Sequence, residues 1–332
     1  MVSHDEKGSD KYLPSPANAS ARKQHSTHLI LLVVAFYWVV SLAVVFLNKI
    51  ILSGDEYKFP YPLFVTWYQM LVALVLLLLG SSIGKKNSQF ALIPPFEFKA
   101  HIAKNVAPLT FIYVMMLALN NLCLQYVEVT FYQVARSLSI VFNIIFTYTI
   151  LGNKTSTATL FTCLIVLLGF VIGSYGEINF SWMGIIYGVG SSAFVALYGI
   201  YVKKTLVLVD NNQWRLLHYN TTLSIIFLFP LVLLSGELGD IFSTVTFLGE
   251  TGFWILMTIT GITGFVINIA MFLQIKYTTP LTNTISGTAK SCFQTALAAW
   301  IFQNTISVLN GIGILLALGG SALYSYVRYK NL

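Results

Sequence analysis

Long apolar segments alternate with short polar ones along almost the whole chain. Each apolar segment is about 20 residues long, the length that an α-helix needs to cross the hydrocarbon core of a bilayer. Ten such segments lie near 29–52, 62–83, 103–125, 130–151, 156–175, 181–202, 214–235, 252–274, 280–302 and 306–327. The pattern predicts an all-α membrane protein with ten transmembrane helices. Its short loops leave no room for a soluble catalytic domain.

The two ends of the chain differ from this pattern. Polar residues fill positions 1–28, and such a segment buries too little apolar surface to become ordered. We therefore expect a disordered N-terminal tail at 1–28, a ten-helix domain at 29–328 and a short C-terminal end at 329–332. The first apolar segment has full spanning length and no small-residue cleavage site, so we expect it to be retained as a helix.

The composition agrees with a protein embedded in lipid. Hydrophobic residues make up 56% and charged residues 9% of the 332 positions, whereas about a quarter of the residues in soluble domains are charged. Of the 19 Lys and Arg residues, four lie in the N-terminal tail and eleven in alternate loops on the same side. Because positively charged loops face the cytosol, we expect both termini to be cytosolic. The net charge of +7 thus marks a membrane face and not a nucleic-acid partner.

Two distant segments, 122–142 and 272–293, contain the same features in the same order. Each contains the end of a span, a run with Leu, Gln and Tyr, a break, and a new span with one cation. Aligning Tyr126 with Tyr277 pairs Ser139 with Lys290. The identity is low, but the alignment predicts two related halves, at about 29–175 and 181–328. With five spans in each half the second half is inverted, an arrangement that secondary transporters use to build a site between the repeats.

Two cations lie well inside predicted spans, away from the ends of those spans. Lys290 is about ten residues into the ninth span, which places it roughly 15 Å deep, and Arg136 lies in the fourth span. An unpaired cation at that depth costs at least about 2.5–3.5 kcal/mol. Some negative charge is therefore expected to compensate each of them.

An internal salt bridge is the ordinary explanation for a buried cation. The predicted spans contain no Asp or Glu, and Glu128, at the edge of the fourth span, can neutralise at most one of the two cations. The pair instead indicates an external anion. Phosphate or pyrophosphate fits best, because Arg offers a bidentate fork and Lys a point charge.

Small and hydroxyl-bearing residues precede Lys290. Ser286, Gly287 and Thr288 would let a ligand approach the backbone and would donate hydrogen bonds from their hydroxyl groups. The alternative is that small residues let helices pack closely, and for Gly287 taken alone we prefer that alternative. With the lysine beside them, the group favours a binding site.

Other polar residues interrupt the apolar segments and are candidates for the sugar, the ribose or the pocket wall. Lone Asn and Gln side chains in membrane helices are by default interhelical hydrogen bonds. Tyr219, Asn220 and Thr221, beside His218, are harder to explain in this way, since an aromatic ring next to an amide suits a purine base. The remaining candidates are Asn48, Lys49, Tyr68, Gln69, Asn120, Asn121, Tyr277 and Asn283.

Several blocks of the chain together resemble the nucleotide-sugar transporters of the drug/metabolite transporter superfamily. The resemblance runs from about residue 29 to residue 328, and blocks of this length are specific. They are FLNKIIL (46–52), FPYPLFVTWYQ (59–69), NNLCLQYVEVTFYQVARSLSIVFN (120–143), WRLLHYNTT (214–222), GITGFVIN (261–268) and LQIKYTTPLTNTISGTAK (273–290).

The resemblance implies a ten-helix antiporter of the Golgi membrane that needs no cofactor or metal. It implies exchange of GDP-fucose from the cytosol for GMP from the lumen. The FYNN motif that reads guanine in GDP-sugar carriers matches 218–221, keeping Tyr219 and Asn220 but with Thr221 at its end. The GALNK motif for the sugar and phosphates matches 286–290 and keeps Lys290, while Arg136 matches the pattern of the carriers of GDP-fucose.

Three alternatives stay open at this point. Another GDP-sugar, such as GDP-mannose, is the first. A sugar-phosphate/phosphate exchanger is the second, because LNK followed by FPYP also resembles plastid triose-phosphate translocators. A membrane enzyme that transfers a phospho-sugar is the third, but it would normally need acidic metal ligands or a base, and His218 is the one embedded candidate base. A homodimer also stays open, since nothing in the sequence sets the oligomeric state.

Overall fold

The computed structural model describes residues 27–54, 56–86, 93, 98–152, 156–175, 181–278, 280–301 and 307–330. The predicted N-terminal tail lies outside these residues except for its last two positions, which begin the first helix. The last helix runs to Lys330, two residues beyond the predicted end of the ten-helix domain.

All regular structure in the described part of the chain is helical, as the hydropathy pattern predicts. Short 3-10 turns at Val207–Val209 and Phe247–Gly249 join some of the helices. The helices are α1 (Thr27–Ser53), α2 (Pro62–Lys86), α3 (Ala100–Tyr126), α4 (Val129–Ser137), α5 (Ser139–Leu151), α6 (Thr157–Tyr175), α7 (Trp182–Leu206), α8 (Gln213–Leu234), α9 (Glu237–Thr244), α10 (Thr251–Tyr277), α11 (Pro280–Ile301) and α12 (Val308–Lys330).

Nine segments within the described residues are long and apolar enough to cross a membrane. The remaining predicted span, the ninth, corresponds to α11, which is not among these nine segments. Its first half carries Ser, Thr, Asn and Lys, and these residues make it more polar than the other spans. The all-α membrane fold is confirmed, whereas the count of ten transmembrane helices stays a prediction.

Two local features differ from the sequence prediction. The fourth span is broken at Leu138, whose N–H bonds to Ala135 O at 3.1 Å, so that it consists of α4 followed by α5. The connection after α8 contains the short helix α9, which the apolar pattern does not reveal because it is too short to span the membrane.

The two halves of the chain share one spacing. The first residues of α2, α3, α4 and α6 are 62, 100, 129 and 157, and those of α8, α10, α11 and α12 are 213, 251, 280 and 308, so each pair is 151 positions apart. The same offset separates Tyr126 and Tyr277, the last residues of α3 and α10. The alignment suggested by two short segments therefore holds for four helices in each half.

The packing of the helices has the same symmetry. α3 packs on α7 as α10 packs on α1, and α2 packs on α10 as α8 packs on α3. α6 packs on α12, α2 on α8 and α4 on α11, and each of these pairs joins two equivalent helices. Exchanging the halves leaves these neighbours unchanged, as two related repeats require. The spans with the embedded cations, α4 and α11, meet between the halves.

Small residues allow the closest of these helix pairs, α6 and α12. A Cβ atom built on Gly313 would meet the Cα of Gly173, and one built on Gly169 would meet the backbone of Ala317. Such close approach of backbones is a common way to pack helices in lipid, where apolar side chains gain little from leaving the surroundings. This pair forms a rigid wall beside the centre of the bundle.

A large apolar core closes one end of the bundle, and we call it the closed-end core. It joins the end of α1, the start of α2, the end of α3, the start of α4, α9 and the start of α10. Phe59 is fully buried, with its ring centroid 5.0 Å from that of Phe253 and 4.9 Å from that of Tyr61. Aromatic rings contribute much buried apolar area, so this end holds the two halves firmly together.

Two charged side chains complete the closed end by capping helices. Glu237 accepts hydrogen bonds from Leu63 N at 3.2 Å and Phe64 N at 2.7 Å, at the start of α2. Lys49 Nζ donates to Leu124 O and Val127 O, both at 2.8 Å, at the end of α3. Each charge has the sign that the helix dipole favours at that terminus.

Candidate functional site

A cavity of about 280 Å³ lies between α4, α5, α11 and α12. It is on the far side of α4 and α11 from the closed-end core, towards the start of α11 and the end of α12. The charge pattern predicts that this side faces the cytosol. The cavity is lined by Gln133, Arg136, Ser137, Ser139, Ile140, Gly287, Ser291, Leu318, Ser321 and Ser325.

Arg136 supplies the charge of this cavity. It lies in the last turn of α4, where the dipole of the helix favours a cation. Its Nη1 donates to Tyr132 Oη at 3.1 Å, and Tyr132 Oη donates to Asn120 Oδ1 at 3.4 Å. Tyr132 is buried, whereas Arg136 is exposed to the cavity. Tyr132 thus fixes one edge of the guanidinium and leaves the rest of it directed at the cavity.

Lys290 is held differently. Its side chain is only 7% exposed, and its Nζ donates to Ser41 Oγ at 2.6 Å. The same Nζ lies 5.3 Å from the centroid of the Tyr37 ring, a cation–π contact. Both partners are on α1 and neither is negatively charged. The lysine is therefore only partly compensated in this conformation.

The structure allows a test of the salt-bridge explanation. Among the described residues, Arg215 and Asp210 form an ion pair, but neither Arg136 nor Lys290 has a carboxylate oxygen within 4 Å. Within the described part of the chain, the salt-bridge explanation therefore has no support.

The residues before Lys290 divide between two sides of α11. Ser286 faces α1, where its Oγ accepts from Trp38 Nε1 at 2.8 Å, and it also accepts from Gln274 Nε2 at 3.4 Å. Gly287 faces the cavity, and a Cβ atom built there would meet no atom within 4 Å. Gly287 thus does not serve close helix packing, and its missing side chain leaves room in the cavity.

Three of the candidate pocket residues form a hydrogen-bond network instead of a pocket. Gln69 Nε2 donates to Asn48 Oδ1 at 2.7 Å, and Asn48 Nδ2 donates to Asn121 Oδ1 at 3.3 Å. Asn121 Nδ2 in turn donates to Thr66 Oγ1 at 2.7 Å. All four side chains are buried, and none of them lines the cavity. Here the ordinary explanation of polar residues in membrane helices applies.

The other candidates lie in several places. Lys49 caps α3 at the closed end, Tyr68 Oη shares a hydrogen bond of 2.9 Å with Thr258 Oγ1, and Tyr277 is half-buried at the end of α10. Asn120 connects to the cavity through Tyr132 and Arg136. The side chains of Asn283 and Thr288 lie outside the part of the structure that is described.

The predicted guanine-reading residues of α8 are split by the structure. Tyr219 is fully buried, its hydroxyl accepts from Lys99 N at 3.0 Å, and its ring lies 5.6 Å from that of Phe98. Thr221 is buried as well. Asn220 instead lines a second cavity of about 180 Å³ between α7, α8 and α10, and its Oδ1 has no hydrogen-bond partner. In this conformation only Asn220 of the three lines one of the two cavities.

Several cavity residues were missed in the sequence. Ser321 and Ser325 of α12 follow each other by one turn, and Ser291 follows Gly287 by one turn. A serine on every fourth position is a weak signal, since serine hydroxyls often bond to the helix backbone, as Ser321 does to Ala317 O at 2.7 Å. Ser41 and Tyr37, which hold Lys290, gave no signal at all.

Comparison with known proteins now identifies the kind of molecule. The sequence pattern of the Triose-phosphate Transporter family matches residues 28–325, nearly the whole chain. The chain belongs to this family. Its members are transporters, so the chain is a transporter and the alternative of a membrane enzyme is ruled out.

Named relatives agree with the resemblance to nucleotide-sugar transporters. GDP-fucose transporter 1 of Dictyostelium discoideum is 52% identical over 297 residues, which cover 90% of this chain and 80% of the relative. The Golgi GDP-fucose transporter of Drosophila melanogaster is 37% identical over 306 residues, 90% of each chain. One solved structure has a TM-score of 0.54 with 12% identity, covering 92% of this transporter and 99% of that chain. This last similarity shows a shared fold.

Proposed function

We propose that this transporter exchanges GDP-fucose for GMP across the Golgi membrane by alternating access. The observation that carries the proposal is the pair of embedded cations, Arg136 and Lys290. They come from equivalent helices of the two halves, lie at or beside one cavity, and have no carboxylate partner among the described residues. The relatives named as GDP-fucose transporters, similar over most of the chain, supply the identity of the nucleotide sugar.

The charges of the two substrates suit this pair of cations. The pyrophosphate of a GDP-sugar carries two negative charges, and the phosphate of GMP carries nearly two at neutral pH. A guanidinium can bind two phosphate oxygens at once, while an ammonium binds one oxygen as a point charge. Either substrate can therefore neutralise Arg136 and Lys290 together. The hydroxyls of Ser139, Ser291 and Ser321 add neutral hydrogen-bond partners along the cavity wall.

Movement of Lys290 is part of the proposed binding step. In this conformation its ammonium lies against Ser41 and Tyr37 of α1, while Arg136 already faces the cavity. A phosphate bound at Arg136 gives Lys290 a stronger partner than a neutral hydroxyl, because charge-assisted hydrogen bonds are about twice as strong as neutral ones. Substrate binding would then weaken the contact between α1 and α11 and favour the rearrangement that opens the closed end.

The base and the sugar are assigned to candidate residues on α8, α10 and α11. Asn220, with its unpaired Oδ1 beside the second cavity, is suited to the edge of guanine. Tyr219 and Thr221 are expected to help position it. Ser286, Gly287 and Tyr277 are expected near the ribose or the sugar, together with Asn283 and Thr288, whose side chains are not described.

The cellular setting follows from the relatives and the charge pattern. A Golgi location fits the relative from Drosophila melanogaster, and the clustering of Lys and Arg in alternate loops favours cytosolic termini. The cavity would then open towards the cytosol, where GDP-fucose would enter. A homodimer is compatible with this scheme but is not needed for it, because both cations belong to one chain.

The proposal is tested with purified protein in liposomes. Vesicles loaded with GMP are offered GDP-fucose, GDP-mannose, a UDP-sugar or a triose phosphate, and a second set is loaded with inorganic phosphate. We expect GDP-fucose uptake into GMP-loaded vesicles, at least tenfold above the other combinations. Preference for GDP-mannose would overturn the assignment of the sugar. Exchange of triose phosphate for phosphate would overturn the nucleotide assignment altogether.

A further inference from the structure

Two polar side chains are buried without any hydrogen-bond partner between the cavity and the closed-end core. Gln294 on α11 is 0% exposed, and neither its amide nitrogen nor its amide oxygen has a partner. Thr130 on α4 is also 0% exposed, and its Oγ1 has no partner. An unpaired buried amide or hydroxyl is costly and needs an explanation.

Helix periodicity places both side chains on the faces that line the cavity. At 3.6 residues per turn, Gln294 follows the cavity residue Ser291 by about one turn and the cavity residue Gly287 by about two. Thr130 precedes the cavity residue Ser137 by about two turns. Residues separated by one or two turns share a face of a helix. Gln294 and Thr130 therefore continue the cavity-lining faces of α11 and α4 beyond the end of the cavity.

Apolar residues lie beyond both side chains towards the closed end. Ala298, one turn after Gln294 on the same face of α11, and Val129, which begins α4 just before Thr130, are both fully buried in the closed-end core. Gln294 and Thr130 thus lie between the polar cavity and the apolar core that closes the far end. This is the position that a substrate must pass when the closed end opens and the cavity closes.

We propose that Gln294 and Thr130 form a second contact site, one that binds the sugar hydroxyls of the nucleotide sugar during passage towards the closed end. An amide and a hydroxyl both donate and accept hydrogen bonds, as sugar hydroxyls do, and neither carries the charge that a phosphate prefers. The partner missing in this conformation arrives with the substrate. The inference rests on the proposed transport of a nucleotide sugar.

The first test compares two substrates in the Gln294→Leu variant, in which an apolar side chain of similar size replaces the amide. The two assays are GDP-fucose uptake and GMP self-exchange in GMP-loaded vesicles. We expect the rate of GDP-fucose uptake to fall at least tenfold relative to GMP self-exchange, because GMP lacks the fucose whose hydroxyls this site would bind. The melting temperature of the purified protein should rise, since an unpaired amide is removed from an apolar site.

The second test uses a matched pair at the other position. Thr130→Val keeps the shape and removes the hydroxyl, whereas Thr130→Ser keeps the hydroxyl. We expect Thr130→Val to lower the same ratio at least threefold and Thr130→Ser to leave it within twofold of the wild type. This pair preserves the test if Gln294→Leu does not fold.

The outcomes separate this inference from the transport proposal. If the wild type carries no nucleotide sugar, the proposed function fails. If the wild type transports GDP-fucose but the variants lower both activities equally, or if Gln294→Leu folds with a lowered melting temperature, the two residues are structural and the second contact site is overturned.

Discussion

The spans that carry the two embedded cations are equivalent in the repeat but differ in structure. Under the offset of 151 residues, Arg136 of α4 corresponds to Gly287 of α11, and Lys290 of α11 corresponds to Ser139 at the start of α5. The span formed by α4 and α5 is broken at Leu138, and its cation, Arg136, faces the cavity. The span formed by α11 is one continuous helix and directs its cation to α1.

This difference shows how a symmetric fold can build an asymmetric site. At each of the two equivalent pairs of positions one half supplies a cation and the other half a small residue, Gly287 for Arg136 and Ser139 for Lys290. The two cations therefore do not occupy equivalent positions of the halves, and both small residues line the cavity, where they leave volume for a ligand. A nucleotide sugar has different ends, so a site with unequal halves suits it better than a symmetric one.

The largest expected effect comes from removing Lys290, the cation of α11. Lys290→Ala should abolish exchange, because the phosphates lose a charge-assisted bond of about 1.5–3 kcal/mol, which is about a 10- to 150-fold loss in binding. The protein should still fold with unchanged or higher melting temperature, since a cation is removed from the membrane interior. Normal exchange of GDP-fucose by folded Lys290→Ala would contradict the phosphate role of this residue.

The next effect concerns both cations in the empty transporter. We expect obligatory exchange, with uptake into vesicles that lack internal nucleotide at least tenfold slower than into GMP-loaded ones. Without an anion, Arg136 and Lys290 would have to pass uncompensated through the closed intermediate. Because the predicted spans contain no Asp or Glu, a pH gradient should not accelerate uptake. Fast uptake into empty vesicles would contradict this mechanism, and any gradient effect should disappear in His218→Gln.

A smaller effect is expected from replacing the guanidinium of Arg136, on α4, with the ammonium of a lysine. Arg136→Lys keeps the charge but replaces a fork of donors with a single point donor. We expect GDP-fucose uptake to fall about tenfold, consistent with the loss of about 1.4 kcal/mol, with little change in melting temperature. Unchanged uptake would mean that substrate binding does not use the fork geometry of the guanidinium. Arg136 and Lys290 would then act as equivalent point charges.

A still smaller effect sharpens the difference in how the two cations are held. Ser41→Ala removes the 2.6 Å hydrogen bond to Lys290 Nζ, so the ammonium becomes more available to a phosphate. Because a typical hydrogen bond contributes about 1 kcal/mol net, GMP should bind about three- to tenfold tighter. Ser41→Thr should bind as the wild type does. In the Lys290→Ala background, Ser41→Ala should have no effect. Weaker GMP binding by Ser41→Ala would show that Ser41 itself contacts the ligand.

The smallest effect is a pH dependence of the thermal stability, caused by Glu237 at the closed end of the bundle. Burial raises the pKa of the Glu237 carboxyl above its ordinary value, partly opposed by its hydrogen bonds from Phe64 N and Leu63 N. A raised folded-state pKa gives a stability contribution that is present below the unfolded pKa and is lost as the pH rises through the folded pKa. We therefore expect the melting temperature of the wild type, but not that of Glu237→Gln, to fall slightly as the pH rises through the folded-state pKa of Glu237. An identical pH profile in both proteins would contradict it.

Much of the fold could be predicted from the sequence because hydropathy is a local property. The lengths of the apolar runs predicted every long helix, and the pairing of Tyr126 with Tyr277 predicted a repeat whose offset recurs in four helices of each half. The site was predicted in part. Arg136 and Lys290 were found because a charge in lipid is costly wherever the helix packs, and Gly287 because it lies beside that lysine.

What the sequence by itself determined is thus the number and kind of apolar segments, the two embedded cations and the lack of carboxylates to pair with them. The tertiary structure decided which way each polar side chain faces. It assigned Asn48, Gln69 and Asn121 to a structural network, buried Tyr219 against Phe98, and brought Ser41 to Lys290 across 249 positions. The physical reason is that a partner across a helix interface depends on how distant segments pack, and no local pattern of residues contains that information.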